Sequence, residues 1–195
     1  MGRFYQLSRP VAYLFVQGPN LSSYRFYAPA VITVVLVIIY NFLPVKLILV
    51  GQESLASYFA SFFVTLPGFF IAALAAIVAF SGGDLDEQMP GVKVVMESNG
   101  DRSAQDISLR IFLCYLFSYL TVISFVGFFV CILGNLLSSN VLQFVKNSNK
   151  NNIQLISDVI SSFYFGIVIF IGASVVSCTM QGLYFLAERV HQRLK

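Results

Sequence analysis

Four long stretches of this chain are almost free of charge, and nothing else in it constrains the fold as strongly. "YAPAVITVVLVIIYNFLPVKLILV" starts at Tyr27, and "SLASYFASFFVTLPGFFIAALAAIVAF" covers 54–80. An uncharged run follows Arg110 to about Leu137, and "VISSFYFGIVIFIGASVVSCTMQGLYFL" covers 159–186. Each can cross about 30 Å of hydrocarbon as a helix, which takes about 20 residues. Their central parts contain no Asp, Glu, Lys or Arg, as the cost of a charge at that depth requires. Pro44 and Lys46 interrupt the end of the first stretch, and Pro67 predicts a kink in the second. At 57% hydrophobic and 11% charged, the chain lies far from the roughly 45–50% apolar and about 25% charged norm of soluble domains. The expected fold is an all-α membrane protein with four transmembrane helices, in hairpins at 27–80 and 109–187, between a lead at 1–26 and a basic tail at 188–195.

The lead has no short apolar region with a small-residue cleavage pattern, so the first stretch reads as a retained span. It mixes Arg3, Arg9 and Arg25 with Phe4, Tyr5, Tyr13 and Phe15, broken at Pro10 and Pro19. Two readings stay open, an amphipathic segment in the headgroup layer and a loose basic tail. Cations set the orientation, because positive flanks stay cytoplasmic. Arg3, Arg9, Arg25, Lys93, Arg102, Arg110, Arg189, Arg193 and Lys195 fall on one side; the other has only Lys46, Lys146 and Lys150. Both termini and the connection 81–108 are therefore expected in the cytoplasm.

That connection holds Asp84, Asp86 and Glu87, three of the chain's nine carboxylates, directly after the second span. "VKVVMES" is β-prone, Asn99-Gly100 is a two-residue hairpin signal, and "DRSAQDIS" returns as a second strand. A small β-hairpin at the membrane surface follows, and a lone hairpin is marginal in water, so it must pack on its own helices, a neighbouring subunit or a partner. The acids admit several readings. Their spacing lacks the terminal bidentate Glu of a calcium loop, so no metal is expected. They can start a helix, which Pro90 would soon stop. They can belong to a docking element made of Asp84, Asp86, Glu87, Met89, Pro90, Gly91, Lys93 and Arg102, or simply to a solvated connection.

Within the spans, small and hydroxyl residues recur at helical spacing. Ser57, Ser61 and Thr65 share a face, Ser118, Thr121 and Ser124 lead towards Asn135, and Ala173, Ser177 and Gln181 step by four. Helix packing is the default explanation, and a narrow polar lining is the sharper one. Asn135 and Gln181 are the residues to watch, because an amide in lipid needs a partner or water.

Catalysis finds no support. His191, the single histidine, lies in the tail "ERVHQRLK", no Ser or Cys has a recognisable base, and no glycine-rich phosphate loop follows a strand. Cys114, Cys131 and Cys178 each lie in apolar sequence and read as packing residues. No enzyme activity, cofactor or metal is expected. The scattered cations form no phosphate-tracking stripe, so direct nucleic-acid binding is not expected either. Four spans enclose little volume, so an aqueous path would need several copies around an axis, and such a ring would repeat the loop.

At "LDEQMPG", followed by a short hairpin and "LRIFLCYLFSYLTVISF", the sequence resembles small four-span bacterial proteins, most of all the membrane component of the Kiwa antiphage defence system. The resemblance covers mainly residues 84–127. It implies a homo-oligomer, a tetramer, that responds to phage at the inner membrane and docks a cytoplasmic DNA-binding partner. A weaker resemblance, to the channel component of the Hailong system, implies an ion channel opened by a nucleotide signal, and a pore or ion channel gated through the same loop is the runner-up reading. Six acids in the loop against Lys93 and Arg102 suit capture of a polyanion poorly, which puts protein docking ahead.

Overall fold

In the computed structural model the four apolar stretches are helices. Residues 9–18, 21–44, 47–51, 53–79, 83–98, 101–148 and 153–191 are described. Helix α1, Ser23–Phe42, begins with a π-helical turn at Ser23–Tyr27; α2 is Leu55–Ala79, α3 is Leu109–Ser148 and α4 is Ile153–His191. All four contain segments long and apolar enough to cross a bilayer, and the chain is a multi-pass membrane protein. The apolar parts of α3 and α4 are Leu109–Ser138 and Leu155–Leu186. Both helices are longer than the sequence predicts: α3 has 40 residues, or about 60 Å at 1.5 Å each. No Pro or Gly follows Gly134 within it to break it, and the helix continues past its apolar part. Helix α2 continues as one element through Pro67.

The helices pack in the order α2, α3, α4, α1. Phe63 and Phe70 of α2 meet Phe112, Leu113, Leu116 and Leu120 of α3 and Val168, Val175 and Cys178 of α4 in one buried cluster. Each fully buried side chain of this size contributes about 1.5–3 kcal/mol in water-to-apolar terms, an upper figure for a segment already in lipid. Small residues permit the approach: a methyl on Gly127 would meet Phe63 and Ile171. Helix α1 is held on α4 by Tyr40 stacked on Phe165 at 4.6 Å and by Ser162, whose hydroxyl donates to Asn41 Oδ1 at 3.0 Å.

Between α2 and α3 lies the expected hairpin. Strands β1, Gln88–Ser98, and β2, Asp101–Ser108, run antiparallel with Ser98 opposite Asp101. The Asn99-Gly100 turn lies outside the described residues. Gln88 pairs with Ser108, but the next pair is Lys93 with Asp106, so residues 89–92 bulge. Pro90, which has no N–H, fits a bulge, and Gly91 has φ +84°, a conformation that strains other residues. Lys93 exchanges both backbone hydrogen bonds with Gln17 at 2.8 Å, so the lead adds a third segment to the free edge of β1. Met89, Val92, Val94 and Ile107 are buried in the same cluster as Tyr13, Val16 and Phe112. The hairpin is therefore stabilised by its own chain.

Candidate functional site

The polar groups gather at the two ends of the helices. At the hairpin end, a 3-10 turn at Gly83–Asp86 brings Asp86 to the start of α3. Ser108 caps that helix, its hydroxyl accepting from the Ile111 N–H at 3.4 Å, and Glu87 O accepts from the Leu109 N–H at 3.1 Å. Arg110 grips both Asp86 oxygens, from Nε at 2.6 Å and Nη2 at 3.1 Å. Its Nη1 donates to Ile77 O at 2.7 Å, one of the carbonyls that the last turn of α2 cannot satisfy within the helix. The acids follow the second span because one of them orients the arginine that closes that span. The bidentate bond from Arg110 holds the Asp86 carboxyl below the usual carboxylate range.

The lead forms the other half of this end. Its 3-10 turn, Arg9–Phe15, packs on α3 and buries Tyr13 completely, beside Phe112 and with its ring 5.3 Å from that of Tyr119. The Tyr13 hydroxyl donates to Gln181 Oε1 of α4 at 2.5 Å. Burial pushes the Tyr13 phenol well above its ordinary range. Arg25, only 6% exposed, lays its guanidinium over the Tyr13 ring at 4.6 Å. Arg25 donates through Nη1 to Leu14 O and through Nη2 to Val16 O at 3.0 Å, while its Nε has no partner. A buried cation without a carboxylate is costly, and here two backbone carbonyls and an aromatic face offset part of that cost. Residues 13–17 thus join α1, β1, α3 and α4.

The predicted docking residues do not share one surface. Met89 is 2% exposed, a packing residue turned into the core, because the bulge and Gly91 rotate it inward. Asp86 is occupied by Arg110. Glu87, Gly91 and Lys93 are exposed, and the backbone of Lys93 carries the bond to the lead. The side chains of Asp84, Pro90 and Arg102 lie outside the described residues, as do those of Arg3, Arg9, Lys46, Lys146, Lys150, Arg189, His191, Arg193 and Lys195.

The predicted lining residues are mostly turned onto protein. Thr121 and Ser124 donate back to Phe117 O and Leu120 O, at 2.8 and 2.7 Å. Ser118 is half-buried, and Ser177 is buried beside buried Gln181. Asn135 works at the opposite end: its Oδ1 accepts from the Gly51 N–H at 3.0 Å and its Nδ2 donates to Ser57 Oγ at 3.5 Å. Ser57 and Ser54 both donate to Gly51 O, at 2.9 and 2.8 Å, and Ser54 Oγ accepts from the Ser57 N–H at the start of α2. Both amides have found the partners that their place in lipid demands. Tyr13 and Arg25 were missed, since an arginine just before an apolar run reads as an ordinary interfacial flank.

Among the described residues no group of His, Cys, Asp or Glu could hold a metal ion. The three cysteines are free. Taken together, the helices and the two polar ends define a polytopic membrane protein with a small ordered hairpin on one face. Comparison with protein-family models, with curated proteins and with solved structures finds no match.

Proposed function

We propose that the protein is a non-catalytic, oligomeric inner-membrane component of an antiphage defence system, whose hairpin docks a cytoplasmic DNA-binding protein. The single observation that supports the docking role is how firmly the hairpin is held, by four buried apolar side chains, the Lys93–Gln17 backbone pair and the attachment of α3 through Arg110. A mere connection needs no such anchoring, whereas a recognition surface gains affinity from being pre-formed. The defence role rests on the resemblance to the Kiwa membrane component, and the cation distribution supports a cytoplasmic hairpin and cytoplasmic termini. Lys93 and Asp106 stand opposite each other and are exposed, so they supply the charge pattern that a partner would read.

The docking reading leads over a pore gated through the loop. Thr121 and Ser124 are committed to their own helix, and Gln181 is covered by Tyr13. In cells that carry the system, K93E/D106K is expected to abolish phage resistance and recovery of the DNA-binding protein with the membrane fraction, at unchanged membrane level. Resistance and recovery equal to wild type would overturn the docking surface. A conductance in bilayers of the purified protein that rises with Gln181→Leu would favour the pore.

A further inference from the structure

A groove of about 390 Å³ lies between α3 and α4 at the end away from the hairpin, closed on one side by Leu49 and Val50. This falls within the ~300–1,000 Å³ of small-molecule sites. Val130, Leu133 and Leu137 form its apolar wall on α3. Facing them on α4 are Ser157, Ser161 and Tyr164, at helical spacing on one side of that helix. The Tyr164 hydroxyl is buried without a hydrogen-bond partner, although buried tyrosine hydroxyls usually have one. It rests against Gly134, where a methyl group would overlap it, so the absent side chain is what admits the ring tip.

We propose that this groove binds one glycerophospholipid of the leaflet away from the hairpin. Its acyl chain lies along Val130, Leu133 and Leu137, and a small rotation of the Tyr164 tip over Gly134 lets the hydroxyl donate to an ester carbonyl. Three features identify the occupant. Ser138 and Leu155 bound the apolar parts of α3 and α4, and Tyr164 lies about 10 Å further in than Ser157, so the groove spans the zone from glycerol to upper acyl chain. Ser157, Ser161 and Tyr164 form one row on α4, and the facing α3 wall is apolar apart from Ser138, whose hydroxyl is already bonded to Asn135 O at 2.8 Å, the pattern of an amphiphile. Among the described residues no charged side chain lines it, which favours the ester region over the headgroup phosphate.

Native mass spectrometry of the full chain, titrated with palmitoyl-oleoyl phosphatidylglycerol and with its diether analogue, tests this. Wild type is expected to retain the diester about fivefold better, the worth of one net hydrogen bond. Tyr164→Phe should remove that preference, and Leu133→Trp should reduce retention of both lipids by filling the groove. A photoreactive side chain at Leu137 should label lipid. Equal retention of the two lipids by wild type overturns the proposal, as does labelling of a second copy of the chain instead of lipid.

Discussion

The two ends of the helix assembly are secured in different ways. At the hairpin end, one tyrosine and two arginines make bonds that tie separate elements together: Tyr13 to Gln181, Arg25 to the lead, and Arg110 to both Asp86 and the end of α2. At the opposite end the ties are neutral, and most are local to the start of α2, with Asn135 as the long-range member. A cap that serves one helix can fail alone. A strap that joins four elements cannot, so the hairpin end should behave as one cooperative unit.

The largest effect should come from Tyr13→Ala. It empties a fully buried ring site, at about 3–5 kcal/mol for an aromatic truncation, leaves the Gln181 Oε1 without its donor and removes the aromatic face under Arg25. Thermal unfolding in detergent should show the loss, and limited proteolysis should open residues 9–18 before the spans. A protease-resistant lead in this variant would mean that the strap is held elsewhere.

A smaller effect, about 0.5–1.5 kcal/mol, is expected for Asn135→Leu, because the exposed Gly51 N–H loses its acceptor. The comparison sharpens here: proteolysis should increase around 47–54 while the lead stays protected. Tyr13→Phe and Gln181→Leu should each cost about 1 kcal/mol or a little more and the double variant clearly less than their sum, since either one breaks the same bond.

The smallest effect belongs to the ion pair of half-buried Arg110 with exposed Asp86. The folded Asp86 has a lowered pKa, so its contribution is present above the unfolded value of about 3.9 and is lost as pH falls through the folded value. Between pH 5 and 8, Asp86→Asn should lower the melting temperature slightly and evenly, and the gap to wild type should close as the medium is made strongly acidic. A gap that persists there would mean that the aspartate acts by packing instead of by charge.

Much of this was legible beforehand. The four spans follow from the length of each apolar run, because lipid leaves a helix as the way to satisfy a single crossing backbone. The hairpin followed from Asn99-Gly100 between β-prone segments, and Asn135 and Gln181 stood out as amides that need partners. What those partners would be was not legible. Gly51 is 84 residues from Asn135, and Tyr13 is 168 residues from Gln181.

By itself, then, the sequence determined what must leave water and where the chain must turn, because transfer free energy and backbone sterics act over a few residues at a time. Only the tertiary structure decided that Met89 faces inward, that Arg25 is buried under carbonyls of the lead, and that Asp86 orients the arginine that closes α2. Those outcomes depend on which distant groups arrive at the same place, and pairing energies between distant groups leave no local pattern in the chain.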